Sequence, residues 1–285
     1  MERHVKPLVE ALRSESEDAQ RYAVETLVRN GESALKPFVD ALLNEDAEVW
    51  DQAMEVLTNV GQMAIKPLLD VLSEKDRDVN QRILAVMVMG NVGDPSVIPT
   101  LIHALADESA DVSGAAAFAL ENIGEPAVMP LIEALQSENL EIRWGIADTL
   151  VGIGDTRALQ PLIRILADEG EDDNLRRLAA AALGGIGNRR AIEALIVALG
   201  DNEDRVRINA VAALGQIGGE QAAAALISVL SDEAPLVREA AVTALGQIGD
   251  ARAIEPLIVA LSDSDWRVRA NAAHYLKRLG YSHTD

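Results

Sequence analysis

A glycine closes a similar stretch nine times along the chain, at Gly31, Gly61, Gly93, Gly124, Gly154, Gly187, Gly218, Gly249 and Gly280. Successive intervals fall between 30 and 33 residues, and most are 31. The sharpest copy runs Leu236-Val237-Arg238-Glu239-Ala240-Ala241-Val242-Thr243-Ala244-Leu245-Gly246-Gln247-Ile248-Gly249-Asp250. So fixed a period restricts the chain to a repeat architecture, in which one supersecondary unit is covered by its neighbours.

One unit, Asp250 to Gly280, shows what is repeated. Gly249 suits the residue after a helix end, where a left-handed backbone costs glycine least. Asp250 then stands where an N-cap is wanted. Ile254, Leu257, Ile258 and Leu261 follow as an i, i+3, i+4, i+7 apolar stripe. Pro256 lies inside that helix, with Pro7, Pro37, Pro67, Pro130 and Pro161 in the matching place, and is expected to cost a hydrogen bond or bend the helix. Ser262-Asp263-Ser264-Asp265 forms a polar turn, and a second helix runs through Val268, Ala272, Leu276 and Leu279. Ala23, Ala53, Ala85, Ala116, Ala179, Ala210, Ala241 and Ala272 share one place in the second helix, broken only by Ile146, and are expected to let helices approach closely. The fold class is therefore all-α: an α-solenoid, or superhelix, of about nine stacked antiparallel helix pairs, with residues 1–285 as a single array. Polar Glu2, Arg3, Lys6 and Arg13 fit a water-facing first repeat, whose first helix starts at about Val5.

The run from Ala244 to Ala273, with Val-Arg opening the second helix and Leu-Gly-x-Ile-Gly at its exit, resembles the short HEAT repeat of the phycobilisome-lyase type. The likeness extends over nearly the whole chain, most sharply from Asp155 onward. Arg82, Arg143, Arg176, Arg207, Arg238 and Arg269 hold the arginine position, and Gln20, Trp50 and Ser113 depart from it. The ankyrin Thr-Pro-Leu-His opening and the tetratricopeptide Trp…Leu-Gly…Tyr pattern are missing. For function the resemblance implies little, because this repeat serves as scaffold in unrelated proteins.

Asp201, Asp232 and Asp263 each stand six residues before Arg207, Arg238 and Arg269, and Asp76 stands likewise before Arg82. The carboxylate is expected to cap the second helix while the guanidinium reaches an acidic neighbour, repeating as a ladder of charge-assisted bonds. An arginine array for phosphate or carboxylate ligands is the functional alternative, disfavoured by an aspartate beside each arginine.

Formal net charge is -21, and residues 1–154 carry -16 of it. Phosphate backbones and anionic membranes are held by Lys and Arg clusters, so neither nucleic acid nor a membrane is expected as partner. Cysteine is absent, which excludes disulfides and thiolate metal sites. No apolar run approaches the roughly 20 residues of a membrane span, and residues 1–6 lack a signal-peptide core, so a cytoplasmic location is expected.

No catalytic, cofactor-binding or metal-binding residues emerge. His4, His103, His274 and His283 have no partner at metal-ligand spacing. Deoxyhypusine hydroxylase, a HEAT-repeat metalloenzyme, holds iron through His-Glu pairs, and the sequence contains no His-Glu dipeptide. The acidic turn around Asp172 lacks the Asp-x-Asp-x-Asp-Gly order of a calcium loop and reads as solvated. Phosphate-cradle and nucleophile-elbow motifs are likewise missing.

A partner site is the remaining possibility. The resemblance implies that second helices line the concave side, with outward positions ten and six residues before each closing glycine. Those positions hold Ile83, Met87, Phe118 and Trp144 in the third to fifth units, with Asp51, Glu55, Glu121 and Asp148 as an acidic rim and Gly114 and Gly145 as a recess. Large apolar groups in a contiguous surface patch mark protein interfaces. The expected partner is a protein with a basic or amphipathic helical segment, captured by a non-enzymatic scaffold. Burial of the same residues by superhelical rotation stays open at this point. Two alternatives remain: a subunit of a bilin lyase-like modification system, and a consensus-like or engineered array. The irregular first five units speak against the second.

Overall fold

The computed structural model describes residues 7–10, 16–42, 50–74 and 77–281. Glu2, Arg3, Val5, Lys6, Arg13 and Asp76 lie outside the described residues, and with them the first-repeat cap and the Asp76–Arg82 relation. Among the described residues every regular element is helical. Two compact units are distinguished, Met1–Thr149 and Leu150–Asp285.

The first unit holds α1 (Glu17–Asn30), α2 (Glu32–Leu42), α3 (Trp50–Val60), α4 (Gln62–Ser73), α5 (Val79–Val92), α6 (Ile98–Ala104), α7 (Ala110–Ile123) and α8 (Glu125–Ala134), and takes in α9 (Leu140–Ile153) as far as Thr149. Its helices form two layers. α1, α3, α5 and α7 pack each on the next, and α2 on α4 and α6 on α8 make the layer behind. The second unit repeats this with α11 (Asp173–Ile186), α13 (Asp204–Ile217), α15 (Pro235–Ile248) and α17 (Trp266–Arg278) in one layer. α10 (Leu159–Ala167), α12 (Ile192–Ala198), α14 (Glu220–Ser228) and α16 (Ile254–Ala260) lie behind them. No helix pair could cover its own stripe, and each is covered by the next pair.

The periodic glycines end these helices as the sequence requires. All nine have φ between 65° and 82°, a region that costs other residues dearly. Asp94, Asp155, Asn188 and Asp250 then each accept a bond from the backbone N–H two residues on, at 2.8 to 3.0 Å. That bond closes a short 3-10 turn before the first helix. The turn corrects the expectation for two prolines. Pro161 and Pro256 are the third residues of α10 and α16, inside a first turn whose N–H groups have no intrahelical acceptor, so no bond is lost. Pro37, Pro67 and Pro130 sit sixth in α2, α4 and α8 and do forgo one.

The alanine column faces the core throughout, with Ala23, Ala53, Ala85, Ala116, Ala179, Ala210, Ala241 and Ala272 at 0 % exposure, and Ile146 fully buried in the same place. The tightest approaches lie elsewhere, at the first glycine of the exit motif. A Cβ on Gly184 would stand 2.7 Å from the Cα of Ala213, and one on Gly90 the same distance from the Cα of Ala119. One glycine of the motif thus admits the neighbouring helix and the other terminates its own.

The arginine ladder exists, with a partner other than expected. Arg207 donates through Nε and Nη2 to both carboxylate oxygens of Asp232, at 3.0 and 3.1 Å, in the following turn 25 residues away. Its Nη1 donates to the carbonyl oxygens of Asp201 and Asn202 in its own turn. Arg176–Asp201 and Arg238–Asp263 repeat the arrangement, and Arg82–Asp107 supplies one rung to the first unit. The preceding aspartate therefore lends its own arginine a backbone oxygen. Its side chain caps the turn, as Asp201 does at the N–H of Glu203 (2.9 Å), and serves the arginine before it. These guanidinium groups are buried, so their near-complete hydrogen bonding offsets the loss of water. Bonding to Asp201 and to Asp263 holds Arg176 and Arg238 above the ordinary arginine pKa, and Arg238 in turn lowers that of Asp263.

Candidate functional site

The second-helix layer of the first unit carries the outward positions singled out in the sequence. None is buried: Asp51, Glu55, Gly114, Phe118, Trp144 and Asp148 are exposed, and Ile83 and Met87 are half-buried. Phe118 is 54 % and Trp144 37 % exposed, so rotation into the core does not occur for either. Met87 on α5 and Phe118 on α7 occupy the same register of two directly packed helices. Their outward direction follows from helical geometry. Ala116, Ala119 and Leu120 of α7 take the core, which leaves residues 111, 114 and 118 on the opposite face.

Beside the apolar residues the surface is acidic. Glu121 is half-buried, and its pKa is raised, first by that burial and then by the neighbouring charge of Asp148. α7 and α9 thus bring two carboxylates close enough to repel, next to Phe118 and Trp144 in the chain. Asp51 and Glu55 lie on α3, one second helix before α5. The recess holds in one half. Nothing stands within 4 Å of a Cβ built on Gly114, so open space lies there. At Gly145 the Cβ of Leu105 would be 2.9 Å away, so that glycine accommodates a packed leucine and leaves no hollow. Sequence spacing could not separate the two, because both look like small residues on an outward helix.

The first unit also has an open groove of about 870 Å³, lined by Asp70, Ser73, Arg82, His103, Asp107 and Glu108 among others. Asp107 is occupied by Arg82 there, and also accepts from the N–H of Ser109 at 2.9 Å. Around Asp172 the carboxylates serve as caps, Asp172 for Leu175 and Asp168 for Gly170, at 3.1 and 2.9 Å. No cluster of three metal-ligating side chains occurs among the described residues. No described helix is long and apolar enough to cross a membrane.

Three similarities bear on this architecture. An uncharacterized phycocyanin operon protein Z from Pseudanabaena tenuis is 36% identical over 81 residues, which are 28% of this chain and 40% of that protein. The karyopherin Kap121p, solved bound to the extreme C-terminus of the protein phosphatase Cdc14p, superposes with a TM-score of 0.62 at 16% identity. That match covers 97% of this chain and 38% of Kap121p, and shows a shared fold. The complex of CpcE and CpcF of phycocyanin lyase from Nostoc is 23% identical, with a TM-score of 0.42 over 75% of this chain and 94% of that one. A family model described as HEAT repeats matches residues 5–85, 65–131, 98–174, 166–234 and 223–284, which is nearly every residue. With helix pairs at a 31-residue period, and matches of this extent, the chain belongs to the HEAT-repeat family.

Proposed function

We propose that the chain is a non-enzymatic scaffold that captures a protein segment on the second-helix layer of residues 79–149. The observation that carries this reading is Phe118, more than half exposed in mid-helix, with Trp144 exposed on α9. An aromatic pair of this kind can anchor an apolar helix face. The raised pKa of Glu121 supports a cationic complement, since a Lys or Arg placed between Glu121 and Asp148 would relieve their repulsion. The fitting partner is therefore an amphipathic helix with Lys or Arg beside its apolar stripe.

The test is capture of a labelled amphipathic peptide with Leu at i, i+3, i+4 and i+7 and flanking Lys. Phe118→Ala together with Trp144→Ala is expected to abolish capture while the helical circular-dichroism spectrum persists. Capture unchanged by the double variant would refute the site. Weakening in high salt would assign the larger share to the acidic rim, and persistence would assign it to the aromatic pair.

A second reading, a subunit of a bilin lyase-like modification system, draws support from the 36% identity to a protein named for the phycocyanin operon. Here the same layer would hold a tetrapyrrole-bearing substrate protein. A shifted visible absorption band on incubating the pure chain with bilin would favour it over the first.

A further inference from the structure

On α15 the face turned toward α17 carries Arg238, Glu239, Val242, Thr243 and Gly246, and Arg238, Val242 and Gly246 are buried there. The same register on α17 holds Arg269, Ala270, Ala273, His274 and Lys277, all exposed. Among the described residues nothing packs over them. Arg269 is nonetheless held as the paired arginines are held. Its Nη1 donates to the carbonyl oxygens of Asp263 and Ser264 at 2.7 and 2.9 Å. Nη1 of Arg238 does the same to Asp232 and Glu233 at 2.8 and 3.2 Å. On Arg238 this anchoring leaves Nε and Nη2 side by side, and both grip the carboxylate of Asp263 at 2.8 Å. On Arg269 the corresponding edge has no partner among the described residues. Its geometry is set before any ligand arrives, which lowers the ordering cost of binding a carboxylate.

Two further features define the complement. Lys277 stands where Gly184, Gly215 and Gly246 admit the next helix, so a repeat stacked at that closeness is excluded. α17 also carries Arg267, Arg269, Lys277 and Arg278 with no acidic residue, in a chain of net charge -21. Trp266, 67 % exposed at the start of the same face, adds an aromatic surface.

We propose that this face of α17 binds an acidic segment of a partner protein, whose aspartate carboxylate is taken bidentately by Nε and Nη2 of Arg269. The site is independent of the one on residues 79–149. Its probe is a labelled, blocked peptide copying residues 259–265, the turn that Arg238 grips, read by fluorescence anisotropy against the full chain. Saturable binding is expected, weakened roughly tenfold or more by Arg269→Lys, which keeps the charge and loses the fork. A peptide with Asp263→Asn is expected not to bind. Lys277→Glu breaks no bond of the turn and should also weaken binding, which separates loss of the site from local unfolding. Equal affinity in Arg269→Lys would overturn the bidentate assignment, and no saturable binding by the wild-type chain would overturn the site. Self-association of the wild type that disappears in Arg269→Lys would give the face to a second copy and overturn a foreign partner.

Discussion

Arg238 and Asp263, 25 residues apart, meet through two parallel hydrogen bonds of 2.8 Å, and Asp263 simultaneously accepts from the N–H of Asp265 at 2.8 Å. The pair thus ties one repeat to the next and shapes the turn of the second. In the first unit one place does without it. Ser113 stands where the arginine is expected, and Ser137 stands in the following turn, its hydroxyl accepting from the N–H of Asn139 at 3.2 Å. Both charges are missing together, which spares the chain an unpaired buried one.

That relation predicts the response to mutation. Arg238→Ser strands the Asp263 carboxylate and is expected to destabilise the second unit by roughly 3 kcal/mol. Adding Asp263→Ser recreates the Ser113–Ser137 arrangement and should recover a substantial part of the loss. Amide hydrogen exchange in α15 and α17 measures both. Losses that simply add would show that the two side chains are not coupled.

The pH dependence of this pair follows from its direction. Asp263 has a folded-state pKa below the ordinary 3.8, chiefly through the bond from Arg238. Its stabilising effect is complete above the unfolded value and disappears as pH falls through the lower folded one. Asp250 and Asp265, each bonded by a nearby arginine, titrate at about 2. The second unit is therefore expected to keep its helical signal down to pH 4 and to lose stability between there and pH 2. Arg238→Ser should flatten that stretch of the stability curve, and an unchanged slope would remove Asp263 from the account.

Glu121 has the opposite sign. A carboxylate whose folded-state pKa is raised above 4.5 costs stability at neutral pH, and the cost is relieved as the group takes up a proton. Glu121→Gln should therefore stabilise the first unit at pH 7 by a few tenths of a kcal/mol and have no effect below pH 4.5. Thermal melts at the two pH values test this, and a gain that survives at pH 4 would assign the effect to something other than charge.

Glycines in similar helical positions should respond oppositely to alanine. At Gly184 the new methyl would meet Ala213 at 2.7 Å, and overpacking of this kind costs about 1–3 kcal/mol. At Gly114 the space is open and alanine is the better helix former, so a gain of about 0.5–1 kcal/mol is expected. Chemical denaturation of both variants gives the signs directly.

These examples also show what the sequence made legible. Period, helix ends, alanine column and outward columns follow from local rules, and a glycine with φ near 68° or an alanine at 0 % exposure leaves little choice. The partner of Arg207 was not legible, because two aspartates stand within reach in different turns and only the stacking decides between them. Gly145 and Gly114 looked alike for the same reason: Leu105, forty residues earlier, fills one position and nothing fills the other. The small outward residues of the candidate site were read by position along one helix, whereas their surroundings belong to a neighbour.

Each rung takes its cation from one repeat and its anion from the next, so the junctions around α13, α15 and α17 are interchangeable. Excising residues 219–249 would set Arg207 opposite Asp263 and Gly215 opposite Tyr275, the same couples that Arg238 and Gly246 make now. The chain can be shortened there only in whole modules, and its length is in that sense quantised. A clean deletion of 31 residues should fold, and a deletion of 28 or 34 should not.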